Sequence, residues 1–235
     1  MPFQNSLFLD ALTQNERQAL MPRLSRTHLE QQKILFDIRE RVTQAYFPID
    51  AVVSLVVPLS SGEIVEAAMA GRDGVVGAAA VLDGQVSLHR AVVQIAGQCL
   101  HCDIEALTGV AKDHPRVQKF IGAHEQALFS QAQQSAACNA VHDIENRLAR
   151  WLLRAADLHG GDELSLTQEY IAEMLGVRRT SVSVVAHTLQ KAGMIKYARG
   201  HIKLLDIPGL QETACECYQT VKLNYDALLR RLSNI

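Results

Sequence analysis

The spacing of apolar and polar positions divides the chain into a short helical start, a region of strands and turns, and a helical region. In residues 1–27, Leu9, Leu12, Ala19 and Leu20 are apolar among polar neighbours, which predicts a short helix with Asn15-Glu16-Arg17-Gln18 facing water. From about residue 29 to residue 104 the runs shorten and fill with β-branched residues: Val52-Val53-Ser54-Leu55-Val56-Val57, Ile64-Val65-Glu66-Ala67 and Ala91-Val92-Val93-Gln94-Ile95. Ser60-Ser61-Gly62-Glu63, Gly71-Arg72-Asp73-Gly74, Asp83-Gly84 and Ala96-Gly97 read as the turns between them. Short strands punctuated in this way predict a small β-barrel or sandwich.

Helix follows. Residues 123–142 are rich in Ala and Gln, which favour helix. In 143–158, Ile144, Leu148, Trp151, Leu152 and Ala155 recur at i, i+4, i+7, i+8 and i+11. Asp143, Arg147, Arg150, Arg154 and Asp157 lie off that stripe, and Gly160-Gly161 stops the helix. Ala132, Ser135, Ala136, Ala137 and Ala140 make a surface that another helix can approach closely. The pattern alone leaves open whether this helix lies on its own barrel or pairs with a symmetry mate.

Residues 163–206 are the most informative. Leu164-Ser165-Leu166 reads as a short strand, and Thr167 as the N-cap of a helix carrying Ile171 and Leu175 one turn apart. Gly176-Val177-Arg178 has the length and the glycine of a turn that swings a second helix to about 90–120°. That second helix runs from Arg179 to Ala192 and ends at Gly193. Val182, Val185, Ala186 and Leu189 form its packing stripe, while Thr180, Ser183, Val184, His187 and Lys191 face away. Ile195-Lys196-Tyr197, a turn at Ala198-Arg199-Gly200, and His201-Ile202-Lys203-Leu204-Leu205 read as a β-hairpin, the wing of a winged helix-turn-helix.

Charge sharpens this picture. A formal charge of −2 over 235 residues excludes a uniformly basic nucleic-acid coat. Within 176–205, however, Arg178, Arg179, Lys191, Lys196, Arg199 and Lys203 are accompanied by no Asp or Glu. A basic run alone is usually a solvated face, and helix-turn-helix patterns recur by chance. Here turn length, split faces, hairpin and cationic island coincide, which points to double-stranded DNA. The 48% apolar and 20% charged composition is that of a globular chain of one large or two small domains. The longest apolar runs, 51–59 and 75–82, are too short to span a bilayer, and the first residues carry no signal-peptide pattern. The expectation is a cytoplasmic protein without membrane contact.

The five cysteines, Cys99, Cys102, Cys138, Cys215 and Cys217, are expected as reduced, buried thiols. Cys99-x-x-Cys102 has zinc-like spacing, but period-two alternation points its thiols to opposite faces. His101 and the i, i+4 pair Cys138/His142 are the further donors that a dimer would have to recruit. Cys215-x-Cys217 falls in a C-terminal helical extension and reads as packing. No metal site and no cofactor are expected.

The string Leu166-Thr167-Gln168-Glu169-Tyr170-Ile171-Ala172-Glu173-Met174-Leu175-Gly176-Val177-Arg178-Arg179-Thr180-Ser181-Val182 resembles the helix-turn-helix of the cyclic-AMP receptor protein/FNR (Crp/Fnr) family of bacterial transcription regulators. The β-rich zone with Gly77, the long helix, and His142-Asp143-Ile144-Glu145-Asn146-Arg147-Leu148 preserve that family's order of parts. The resemblance implies an α+β fold in three parts. These are a jelly-roll β-barrel of the cyclic-nucleotide-binding kind (1–114), a long dimerisation helix and hinge (115–159), and a winged helix-turn-helix with its helical extension (160–235). It implies a homodimer that recognises an inverted repeat, has no enzymatic activity, and contacts RNA polymerase if it activates transcription.

The resemblance also assigns roles. Arg178, Arg179, Thr180, Ser183 and Val184 would read bases. Thr167, Ser181, His187, Arg199 and Lys203 would contact phosphates, which position without specifying. Where cyclic-AMP receptor proteins read bases with Arg, Glu and Arg, this chain has Arg179, Thr180 and Val184, so its half-site should differ from theirs.

The effector pocket would involve Gly77, Ala78, His89 and Arg90. Ala78 stands where nucleotide-binding members carry a ribose-holding Glu, and His89-Arg90 replaces their phosphate-holding Arg-Ser. Ordinary cyclic-AMP binding is therefore not expected. Haem, a small metabolite, a redox change at Cys99 or Cys138, and no effector at all stay open. The FNR branch's N-terminal cysteine cluster is absent, since residues 1–98 hold no cysteine. A cupin-like metalloenzyme is the rival of another class, but residues 29–104 supply only His89 and His101 as imidazole ligands.

Overall fold

The computed structural model describes residues 6–82 and 86–233; the Asp83-Gly84 turn expected above lies outside the described residues. Two short helices, α1 (Leu7–Asp10) and α2 (Gln14–Leu20), lead into strands β1 (Ser25–Leu29), β2 (Ile34–Phe36), β3 (Gln44–Pro48), β4 (Val52–Pro58), β5 (Ile64–Ala70), β6 (Arg90–Ile95) and β7 (Gly97–Asp103). They form two antiparallel sheets, ordered β1-β7-β3 and β2-β6-β4-β5, whose inner faces enclose the barrel core. At Gly77 a φ of +85° and the Gln44 carbonyl, 2.6 Å from where a Cβ would stand, require glycine.

Helices α3 (Ile104–Asp113), α4 (Pro115–Val141) and α5 (Ile144–His159) follow, then β8 (Glu163–Ser165), α6 (Gln168–Leu175), α7 (Arg179–Lys191), β9 (Ile195–Ala198), β10 (His201–Leu204), α8 (Ile207–Thr213) and α9 (Cys217–Ser233). The third sheet, β8-β10-β9, carries the wing.

The larger barrel sheet is buried on both faces, and its strands divide their side chains by period two. Val53 and Leu55 of β4, Ala68 and Ala70 of β5, and Ala91 and Val93 of β6 face the barrel core. Val52, Val56, Met69 and Val92 pack outward against Trp151, Leu152, Ile171 and Leu175 of α5 and α6. The winged-helix half is thus seated on the outside of the barrel through a continuous apolar layer.

A buried carboxyl sits in this layer. Trp151 Nε1 donates to Glu66 Oε1 at 2.9 Å, and Ser54 Oγ donates to Glu66 Oε2 at 2.5 Å. Burial raises the Glu66 carboxyl from 4.5 to about 7, against the lowering effect of the Ser54 hydrogen bond. Between those values the folded state holds a proton that the unfolded chain has released. The contribution of Glu66 to stability is therefore fully present below about pH 4.5 and is lost as pH rises towards about 7, by up to roughly 3 kcal/mol. Thermal unfolding followed by the single tryptophan should show this decline in the wild type and lose it in Glu66→Gln. The same slope in both would remove Glu66 as its source.

One reading of a solvated face is corrected, and a second group of charged residues is more buried than its spacing alone indicates. Glu16 is buried rather than facing water, because it closes a capping box with Thr13 and pairs with Arg116 of α4. The off-stripe arginines of α5 are buried as well: Arg147, Arg150 and Arg154 are 7%, 6% and 4% exposed. The apolar stripe of α5 meets barrel and winged helix, while α9 covers another side. There Arg154 pairs with Asp73 at 2.8 Å and lies over the Tyr225 ring at 4.5 Å.

The C-terminal extension does not pack as a simple appendage of the winged helix. Helix α9 returns along α4 and inserts Val221, Tyr225 and Leu228 into the barrel core. Helix α5, placed above with the dimerisation segment, shares its core with the winged helix. By packing, the break falls at His142-Asp143, between α4 and α5.

The small-residue helix lies on its own barrel along one face only. Ser135 is turned into the protein and Ala132 is half-buried, whereas Ala136, Ala137 and Ala140 are exposed. With Phe129, Gln133 and Val141 they form an uncovered stripe along α4, on which Phe129 is 66% and Val141 73% exposed.

Candidate nucleic-acid interface

Helix α6 is capped by Thr167, whose Oγ1 accepts from the Tyr170 amide at 3.2 Å. It ends at Gly176, whose φ of +62° reverses the chain. Helix α7 then runs as predicted, with Val182, Ala186 and Leu189 buried and Thr180, Val184, His187 and Lys191 exposed. Val184 is 67% exposed, an apolar side chain offered to solvent in the middle of the outward face.

The wing is fixed to this helix. Gln190 Oε1 accepts from the Tyr197 amide at 2.8 Å, and the Leu166 amide donates to the Gly200 carbonyl at 2.7 Å. The hairpin turn places Arg199 at φ +50° and Gly200 at +79°. Thr167 is thereby brought beside the wing tip, with α7 on the adjoining side.

The cations are not equivalent. Arg179 Nε lies 2.9 Å from Glu169 Oε1, and Lys203 Nζ lies 2.8 Å from Glu163 Oε1. Arg178, Lys191, Lys196 and Arg199 are exposed and form no ion pair among the described residues. The carboxylates lie outside the 176–205 window, so the cationic island is partly offset in space where the sequence window held no acid.

Ser183 departs from its expected role. It is half-buried, with its Oγ 2.5 Å from Gln168 Oε1 and 3.1 Å from the Arg179 carbonyl, so its hydroxyl is used between the helices. Arg178, Arg179, Thr180 and Val184 do share an exposed surface, with His187 further along α7 and Ser181 half-buried at its first turn. Lys196, Gln190, Glu163 and Glu169 border this surface and were not among the expected residues. Only Lys196 left a signal in the sequence, as a member of the basic run.

The family described as Crp-like helix-turn-helix domain matches residues 146–213, the segment holding these elements. The chain shares its fold with solved structures of Crp/Fnr-family regulators. FixK2 from Bradyrhizobium japonicum is similar at 17% identity and TM-score 0.69, over 82% of this chain and 98% of that one. A CRP-family transcriptional regulator from Thermus thermophilus is similar at 20% identity and TM-score 0.65, over 80% and 96%. The c-di-GMP responsive global regulator CLP from Xanthomonas campestris is similar at 16% identity and TM-score 0.64, over 83% and 100%. No curated protein matches the chain by sequence.

Within the barrel, a cavity of about 400 Å³ lies between the strands and α4. Its walls are mainly apolar, including Phe36, Leu55, Val76, Leu128 and Phe129, with His89, Ser87 and Glu125 as polar members. Burial lowers the His89 imidazole, favouring its neutral form. Of the four expected pocket residues, Gly77 and His89 line the cavity, while Ala78 and Arg90 are not in its wall. Arg90 is held by Asp37 through two bonds, 3.1 and 2.7 Å, and that bond keeps the Asp37 carboxyl below its ordinary range. Arg90 is therefore committed to a carboxylate.

The cysteines separate into two kinds. Burial pushes Cys99 and Cys102 up to about 12, leaving them inert thiols. Cys215 and Cys217, read above as packing, are buried and converge with Cys138 on His142, because the return of α9 brings its first turn to the last turn of α4.

Proposed function

We propose that this protein is a homodimeric regulator that binds an inverted repeat in DNA, placing one α7 helix in each of two successive major grooves. The observation that carries the reading is the exposed face of α7, where Arg179, Thr180 and Val184 stand together beside a basic wing. Arg179 can form two bonds to the O6 and N7 of guanine, and Val184 suits a thymine methyl. Thr167, His187, Arg199 and Lys203 contact phosphates, with Ser181 at the first turn of α7. The uncovered stripe of α4 supports pairing with a second copy. Recognition of RNA polymerase belongs to the same reading if the protein activates transcription.

The apolar cavity favours control by a neutral, mainly apolar effector over a cyclic nucleotide. Ala78 supplies no carboxylate, and Arg90 is engaged by Asp37.

Binding of a labelled duplex at a series of salt concentrations tests the DNA reading. Affinity should fall steeply with salt as phosphate contacts release counterions. Lys203→Ala should weaken all sequences alike and reduce the slope of log K against log salt by about one. A salt-independent association, or a slope unchanged in Lys203→Ala, would count against the wing as a phosphate-contacting element.

A further inference from the structure

We infer that Cys138, His142, Cys215 and Cys217 form a closed, four-ligand Zn2+ site that staples the end of α4 to the start of α9. Cys138 and His142 are one helical turn apart, His142 being the residue that caps α4. The short link after α8 supplies Cys215, and Cys217 is the first residue of α9.

The geometry is that of a single ion. All four ligand atoms lie within 4.8 Å of one another. Cys138 Sγ is 3.5 Å from Cys215 Sγ, and Cys217 Sγ is 3.5 Å from His142 Nδ1. Tetrahedral Zn2+ with bonds of about 2.3 Å to sulfur and about 2.0–2.1 Å to nitrogen holds its ligand atoms about 3.5–3.8 Å apart. A soft set of three thiolates and an imidazole selects zinc over hard cations.

Packing is a poor alternative account of these cysteines. The three are buried, at 0%, 8% and 1% exposure, yet they cluster with one another and belong to neither large apolar core. Three mutually adjacent sulfurs beside an imidazole offer little apolar contact and every ligand a closed site needs.

The surroundings match an anionic centre of three thiolates and one Zn2+. His142 Nε2 lies 3.3 Å from Glu216 Oε1, the carboxylate contact that fixes a ligating imidazole. Gln134 Nε2 donates to Cys217 Sγ at 3.0 Å. Arg147 and Arg150 are buried nearby, each with an Nε that has no hydrogen-bond partner among the described residues. Their charge offsets the centre's single negative charge.

The position gives the site a structural task. It spans the break at His142-Asp143, and Arg147 on the next helix donates to the Leu175 carbonyl immediately before the Gly176 turn. Metal binding would tie together α4, α9 and the base of the DNA-binding half.

The test is the metal content and thiol state of the full-length protein, purified with reductant and without chelator. About one zinc per chain is expected. Protein stripped and refilled with Co2+ should show thiolate-to-cobalt charge transfer and the visible bands of a tetrahedral ion. Cys217→Ser and His142→Gln should lose stoichiometric zinc, whereas Cys99→Ala should keep it. The cobalt spectrum of the wild type stands even if those variants fold poorly. Protein that carries no metal and gives no cobalt–thiolate bands overturns the site. So does a Cys138–Cys215 disulfide in the purified wild type, or iron with inorganic sulfide in place of zinc.

Discussion

Ala136→Glu is expected to turn the dimer into a monomer and to weaken binding to the inverted repeat by about 10²–10⁴-fold, the contribution of linking two binding modules. Ala136 lies in the uncovered stripe of α4 with Gln133, Ala137, Ala140 and Phe129. Across a two-fold axis the same patch meets itself, so one substitution places a carboxylate on both sides. Two carboxylates would then have to be desolvated against small side chains that offer no counter-charge. The side chain is exposed in the single chain, so folding should be spared. Sedimentation should report a folded monomer under conditions where the wild type is a dimer. A variant that remains dimeric with unchanged DNA affinity would move the interface elsewhere.

Arg179→Ala is expected to cost about 1–3 kcal/mol of binding and to relax preference at one base pair in each half-site. In the free protein the guanidinium rests on Glu169, with both side chains well exposed at 64% and 59%. A pair of that kind is worth about 0.2–1 kcal/mol, less than a bidentate contact to guanine. The arginine can therefore leave Glu169 for the groove. Glu169 also holds it at the start of α7 in the free protein. The contrast with Lys203→Ala separates reading from positioning: one variant changes which sequence is preferred, the other how tightly every sequence is held. Unchanged base preference in Arg179→Ala would mean that α7 lies in a different register.

The DNA-binding half was legible because its determinants are local. Glycine at Gly176, the stripe Val182, Ala186 and Leu189, and the hairpin around Arg199-Gly200 each act within a few residues, and α7 presents the predicted faces. The barrel was legible for the same reason, in the β-branched runs now seen as β4, β5 and β6. What periodicity cannot reveal is how many elements cover a helix. Arg147, Arg150 and Arg154 lie off the apolar stripe of α5, yet neighbours close over them too.

Long-range partnerships were equally hidden. Glu16 finds Arg116 100 residues away, and Arg90 finds Asp37 across 53. Cys138 and Cys215 are 77 residues apart, so each half of their cluster was visible as a spacing but not as a site. The stop at Cys217, where α9 begins its return along α4, is a tertiary event without a local signature.

The central claim is that two α7 helices read DNA as a symmetric pair. Selection from a random duplex library with purified, effector-free protein at near-physiological salt tests it most directly. The predicted result is an inverted repeat whose half-site centres lie about 34–36 Å apart, one helical turn of DNA. A single half-site without symmetry, or a recovered pool with no preferred sequence from protein shown to be folded and dimeric, would contradict it.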